Sequence, residues 1–320
     1  MKEKLKNLIV AIVLLLACIF SFAMDNSVAK VGAGLSGGRK VEDVQDLLKV
    51  LESLDPNGVS SKVGSSIVPL ALGGSSNKKS KNATITETTR LRVDNGKANT
   101  VLERQLDVYM TSRGTYYTSK GVMRGTVQTY NKDYKSSEYE NVVMKFDLNI
   151  YVVNENVYMQ IFEFMYAAAD THIQIKYSEA GEWFKCSEEV AEALLTANTF
   201  NHDFLGDIND MFTELVEEGV INEDDKRVSL TENDLKRLDS YYDEDVETEI
   251  TLNLTVPNQP YITWHTYYYD NKQAKTYKND DIIVIKNIGN TEVDFNRSAV
   301  KKSIDTIDEL EEIFVINGEG

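Results

Sequence analysis

Cysteine is almost missing from this chain: of 320 residues only Cys18 and Cys186 carry a thiol. No intramolecular disulfide can form in a mature chain that has lost its first segment, so its core must stabilise it. Histidine is nearly as scarce. His172, His202 and His265 show neither the i, i+4 spacing nor the neighbouring cysteine pair of a zinc site, so no metal or other cofactor is expected. Basic residues are outnumbered 34 to 51, for a net charge of -17, which argues against binding nucleic acid or an anionic membrane surface by charge. Long apolar runs are also absent apart from Leu8 to Phe20, which is short of the roughly 20 residues of a membrane span.

That run is informative. It follows the basic start MKEKLKN and precedes Ser21-Phe22-Ala23, the order of parts in a secretory signal peptide. Two processing routes fit. Cleavage after Ala23 releases a secreted chain whose net charge goes from -17 to -19, because the signal carries three lysines and one glutamate. Alternatively, Leu15-Leu16-Ala17-Cys18 resembles a lipobox, and cleavage there makes Cys18 a lipidated N-terminus that tethers the chain to a membrane. Either route places the protein outside the cytoplasm, free or anchored at the cell surface.

After residues 1–23, the segment 24–82 reads as a flexible N-terminal stretch with one helix over 41–54. Val41, Val44, Leu47, Leu48, Leu51 and Leu54 share one helical face. Beyond it, Val59 to Asn82 is dominated by Ser, Gly and Lys. From Ala83 the pattern changes to alternation: Thr84–Val93, Val101–Met110, Thr115–Tyr130 with a break at Gly121, Val142–Val153, Val157–Ala167, Thr171–Tyr177 and Glu182–Lys185. Ser187 is an N-cap for a helix from Glu188 to Ala197, and a second helix runs from Asp203 to Glu218 and stops at Gly219. A short helix over Thr231–Tyr241 precedes strands at Glu247–Val256, Tyr261–Tyr269 and Gln273–Lys286. A charged helix over Val300–Phe314 closes the chain, so 297–320 reads as a helix and tail outside the sheet domain 83–296. Strands that follow one another without intervening helices make an antiparallel sheet.

Two glycine motifs invite an enzymatic reading and fail on context. VGAGLSGGRK, Val31 to Lys40, contains both G-x-G-x-x-G and G-x-S-x-G. Each needs a buried strand before it and a helix after it in a parallel unit, and here a signal segment precedes and no parallel sheet follows. Cys186 stands at the start of a helix, where a thiol can be activated, although a buried inert cysteine is the commoner case. The stretch Glu217 to Glu249 holds 13 acidic and 4 basic residues without the spacing of a calcium loop, and reads as a solvated acidic face.

The apolar inventory says more. VYMQIFEFMYAAA, Val157 to Ala169, is apolar on both faces for part of its length. The helix Asp203–Glu218 places Phe204, Ile208, Met211, Phe212 and Leu215 on one side. Trp183, Trp264 and Phe162 stand where they should be covered. Asn156-Val157-Tyr158-Met159, then Glu182-Trp183-Phe184-Lys185 and a helical insert, then Ile250–Val256 and Tyr261–Tyr269 ending at Ile285-Lys286-Asn287-Ile288-Gly289-Asn290, together resemble the LolA-like and LppX/LprG-like bacterial lipoprotein-carrier superfamily. The likeness covers Ala83 to Phe295. It implies an antiparallel half-barrel whose open side is plugged by helices, and non-enzymatic binding of an acylated or otherwise hydrophobic molecule.

The sequence therefore predicts an exported α+β protein with a curved antiparallel sheet of about eight to eleven strands and helices on its concave face. The expected ligand is a hydrophobic small molecule or an acylated protein. Its lining is expected to be Phe162, Phe164, Phe204, Ile208, Met211, Phe212, Leu215 and Trp264. The rival reading is a cell-surface scaffold or adhesin with a solid interior and Tyr267-Tyr268-Tyr269 as a contact patch. A hydrolase cleft around His172 or His265 is a third.

Overall fold

The structure, a computed structural model, describes residues 40–54, 82–111, 114–131, 136–153, 156–168, 171–191, 203–236, 246–270, 274–293 and 295–318. Residues 1–39, with Cys18 and both glycine motifs, the Ser/Gly stretch and His202 lie outside them.

Among the described residues thirteen strands form one sheet. They are β1 (Ala83–Asp94), β2 (Asn99–Met110), β3 (Thr115–Asn131), β4 (Ser136–Val153), β5 (Asn156–Ala168), β6 (Thr171–Ile175) and β7 (Trp183–Cys186). The remainder are β8 (Arg227–Leu230), β9 (Val246–Asn253), β10 (Tyr261–Asp270), β11 (Lys275–Lys286), β12 (Val300–Ile304) and β13 (Phe314–Gly318). The order across the sheet is β12-β7-β5-β4-β3-β2-β1-β11-β10-β9-β8, with β6 on the far half of β5 and β13 on β6. Neighbours are antiparallel except β12 and β7, which run parallel. The sheet is open.

The alternating pattern explains which side is buried. Phe146, Leu148, Ile150 and Val152 of β4 are buried on one face, opposite Ile161, Met159 and Val157 of β5. On β5 this parity is kept by a bulge. Ile161 faces Leu148 and Glu163 faces Asp147, so Phe162 is the extra residue between them. Beyond it Phe164, Tyr166 and Ala168 return to the core side. The strand also changes partner there: Val157–Gln160 pair with β7, and Met165–Ala168 with β6.

Gly121 does not break β3, contrary to expectation. It pairs on both sides, with Arg104 and Phe146. A Cβ there would stand 2.4 Å from Cζ of Phe146 and 2.8 Å from the Glu103 carbonyl oxygen, so glycine is what lets the Phe146 ring lie against the strand.

Two longer helices complete the core. Helix α1 (Val44–Leu54) buries Val44, Leu47, Val50, Leu51 and Leu54. Its first N–H groups, which lack intrahelical partners, donate to the Asp43 carboxylate from Asp46, and to the Asp225 and Glu223 carbonyls from Val44 and Gln45. It shares one contiguous core with the sheet and with α2 (Asp203–Glu217). Helix α2 ends as expected. Gly219 has a φ of +67°, and the N–H groups of Val220 and Gly219 donate to Leu215 and Val216 carbonyls, a Schellman arrangement. Ser187 accepts from the Val190 N–H at 3.3 Å and opens a helical turn; residues 192–200 lie outside the described part.

Of the helix expected over Thr231–Tyr241 the described residues form one turn, α3 (Glu232–Leu235), after β8, an unforeseen edge strand; 237–241 lie outside the described part. One reading of secondary structure is corrected. The closing helix over Val300–Phe314 is β12, a five-residue helix α4 (Ile307–Glu311) and β13. Thr306 caps α4 by accepting from the Glu309 N–H at 3.2 Å, which marks the true helix start. The apolar residues Val300, Ile304, Leu310 and Ile313 fit a helical period by eye. Val300–Ile304 instead pair with β7 and Phe314–Gly318 with β6, so the described residues of 297–318 belong to the sheet domain.

To reach β12 the chain after β11 crosses the opposite face of the sheet. Asn287 (φ 55°) and Gly289 (φ 83°) turn it, and Thr291 meets Thr84 at 3.0 Å. Phe295 then covers Tyr151, Tyr158 and Trp183 at ring separations of 4.6, 5.0 and 4.9 Å. Trp183, expected to be covered, is partly buried there.

Candidate functional site on the core face

Alternation places one residue of every pair on the core face, and the strand register lines these up into rows. One row runs Ile250, Trp264, Asp281, Thr89, Arg104, Gly121, Phe146, Phe164, across β9, β10, β11, β1, β2, β3, β4 and β5. Its ends are apolar and its middle is polar. Asn279 lies in the adjacent row toward one end of the strands, and Glu87 and Ser119 in the adjacent row toward the other.

The polar centre is deeply buried. Glu87 and Arg104 form a salt bridge at 2.8 Å, a diagonal pair across β1 and β2. Removing one partner of such a pair strands the other charge, at a cost of about 3–5 kcal/mol. Asp281 is 1% exposed. Burial pushes its carboxyl well above the ordinary carboxylate range, and the nearby Glu87 adds to this, while Thr89 and Arg104 pull the other way. Asp281 therefore keeps its proton to higher pH than an ordinary carboxyl. Asn279 Oδ1, Ser119 Oγ and Asp281 Oδ1 are buried without a hydrogen-bond partner among the described residues. Each group left so costs about 1–3 kcal/mol.

The residues expected to line a ligand site separate into three groups. Ile208, Met211, Phe212 and Leu215 are brought together on α2 and are fully buried in the protein's own core; Phe204 begins the same helix, but its side chain lies outside the described residues. Phe164 and Trp264 are half-buried at the two ends of the polar row, with Phe164 edge-on to Phe314 at 5.2 Å. Phe162, expected to be covered, is corrected. As the bulge residue it is 48% exposed, beside the turn at Gly181.

Sequence reasoning missed the polar centre. In β11 the core-facing positions read Tyr277, Asn279, Asp281, Ile283, Ile285, and only the last two look like a core. The one available signal was that Glu87, Thr89 and Arg104 occupy alternate positions in otherwise apolar-facing strands.

Other candidates fall apart geometrically. His265 donates or accepts at 2.7 Å with Asp280 on the opposite face of the sheet, and His172 lies in β6, in the other wing of the strand order. Cys186 ends β7, where burial pushes its thiol up to about 12, out of reach of thiolate chemistry. No group of three or more His, Cys, Asp or Glu among the described residues could hold a metal ion, and no described helix is long and apolar enough to cross a membrane.

No family model, curated protein or solved structure matches this chain. Its function is therefore argued from the geometry of the core face.

Proposed function

We propose that this is an exported, non-enzymatic protein that holds a hydrophobic ligand, a lipid or an acylated protein, against the core face of its sheet. On this reading the face is concave, because an open sheet of this many strands curls rather than staying flat, and α1 and α2 plug part of the hollow. The observation that supports it is an unfinished interior. Phe164, Tyr166 and Trp264 lie in the same rows or strands as fully buried side chains and pack against the core, yet keep part of their surface exposed. Apolar surface left in a hollow is where a greasy ligand gains most, at ~25 cal/mol per Å² before ordering costs.

The site keeps Phe164 and Trp264 from the lining read off the sequence. Ile208, Met211, Phe212 and Leu215 serve as the floor, and the ligand lies toward Trp264 and Phe164. Solvent extraction of the purified chain followed by mass spectrometry tests this. The expected result is a lipid in near-stoichiometric amount, reduced by Trp264→Ala. Recovery of no lipid, together with no uptake of a fluorescent long-chain acyl probe, would overturn it.

The scaffold reading has its own support. The described side chains of the apolar face of α2, Ile208, Met211, Phe212 and Leu215, are buried among the chain's own residues, as a solid interior requires. Tyr269 is 44% exposed on the outer face, and the Lys278 ammonium lies 5.2 Å from the Tyr267 ring. An empty extraction favours this alternative.

A further inference from the structure

Strands β3 and β4 outrun their neighbours. β2 accompanies β3 only as far as Gly125, and β5 accompanies β4 only from Val142, yet β3 and β4 go on pairing with each other from Thr126 with Asn141 to Asn131 with Ser136. Six residues of each strand therefore make a two-stranded arm that reaches about 20 Å past the sheet. Gly125, at a φ of +153°, lies against the Asn99 backbone where a Cβ has no room, and marks the root of the arm. A lone hairpin is marginally stable in water, and neither edge of this one has a strand beside it among the described residues.

The two edges differ. The β4 side contains Glu138 and Glu140, so pairing it antiparallel with itself about Glu138, Tyr139 or Glu140 sets glutamate against glutamate, which is destabilising. The β3 side, Thr126-Val127-Gln128-Thr129-Tyr130-Asn131, has no charge and no proline in a chain that is 27% charged, and is rich in strand-forming residue types. Edge strands that avoid pairing tend to carry charge, as β12 does with Lys301 and Lys302. The Thr126 carbonyl oxygen accepts from the Thr100 hydroxyl at 3.2 Å and so points away from β4. By alternation the N–H and C=O groups of Gln128 and Tyr130 point the same way, while those of Val127, Thr129 and Asn131 point to β4.

We propose that the β3 edge of this arm joins the same edge of a second copy of the chain, antiparallel about a two-fold axis at Thr129, so that Gln128 of each copy exchanges backbone hydrogen bonds with Tyr130 of the other. A two-fold axis sets a patch against itself, which the neutral edge permits and the β4 edge does not. So short an edge buries far less than the roughly 1,600 Å² of a standard interface, and the dimer is accordingly reversible, forming at about 0.1 mM chain.

Sedimentation equilibrium of the mature chain measures the association. Gln128→Pro removes one outward donor and no β3–β4 bond, and is expected to raise the dimer Kd at least about tenfold with an unchanged urea midpoint. Thr129→Cys would meet its own copy in a non-hydrogen-bonded pair with Cα atoms about 4.5 Å apart, within disulfide reach. It is expected to cross-link under mild oxidation at least about tenfold faster than Asn131→Cys, which has Val127 opposite and no cysteine in reach; Cys186 is buried and common to both variants. Equal cross-linking rates, a Kd untouched by Gln128→Pro in a folded variant, or a parent chain that stays monomeric to about 1 mM overturns the proposal.

Discussion

Asp281 shows how one side chain acquires a role from its surroundings. In an unfolded chain it is an ordinary carboxylate; in the sheet it is 1% exposed, with Glu87, Arg104 and Asp280 as its charged neighbours and Thr89 as its nearest hydroxyl. Burial and Glu87 raise its proton affinity, so the folded protein keeps this proton to higher pH than the unfolded chain does. The stability it contributes is then complete below the ordinary carboxylate pKa and is lost as pH rises toward the raised folded value. Asparagine copies the shape of the neutral acid and has no proton to lose. Asp281→Asn is therefore expected to match the parent in urea unfolding at about pH 4 and to exceed it at about pH 8, by about 1.4 kcal/mol for each tenfold rise in proton affinity. A parent that gains on the variant as pH rises would mean an ionised, well-paired Asp281.

The bulge in β5 carries the corresponding argument for an element. Its effect is a change of parity. Without Phe162, either Val157, Met159 and Ile161 or Phe164, Tyr166 and Ala168 would turn away from the core. Deleting Phe162 is expected to lose more than about 3 kcal/mol, since several apolar side chains leave the core at about 1.5–3 kcal/mol each. Phe162→Ser, which keeps the residue count and changes only a half-exposed ring, should stay within about 0.5 kcal/mol. Urea denaturation of the two variants separates spacing from side chain; similar losses in both would show that the ring matters and the extra residue does not.

Legibility also divides by element. Long strands such as β4 were readable because Phe146 to Val152 repeat with period two against one continuous partner face. Helix α2 was readable because its apolar stripe and Gly219 stop signal are local. Segments whose burial depends on a remote partner were not: β12 needs β7, and β13 needs β6, and without those partners Val300 to Phe314 fits a helical period about as well. At the site, α2 was legible as an apolar face but not as a filled floor. The polar row was hidden because register across four strands assembles it from residues that each look like surface.

For the whole molecule, the crossing segment carries the chain from β11 to the two last strands, which extend the sheet beside β7 and β6. Phe295 closes the aromatic cluster of Tyr151, Tyr158 and Trp183, while Ile304, Leu310 and Ile313 are buried in the main core. Residues 297–318 are thus part of the cooperative unit. A chain ending at Asn296 is expected to lose its single sharp unfolding transition and to be cut within β6 and β7 by limited proteolysis, because both strands lose a pairing partner. An unchanged transition midpoint after truncation would restore the segment to the status of a tail.

The amino-acid sequence by itself determined the strand-rich composition, the alternation that sorts each strand into two faces, the apolar stripes of α1 and α2 and the near-absence of cross-linking chemistry. These follow from local periodicity and composition. Tertiary structure alone decided the order of strands, the parallel pairing of β12, the bulge that keeps β5 in phase and the meeting of Glu87, Thr89, Arg104, Asn279 and Asp281 in one buried patch. Register between distant segments is a property of the whole sheet, set by which faces bury most apolar surface together, and no window of neighbouring residues contains it.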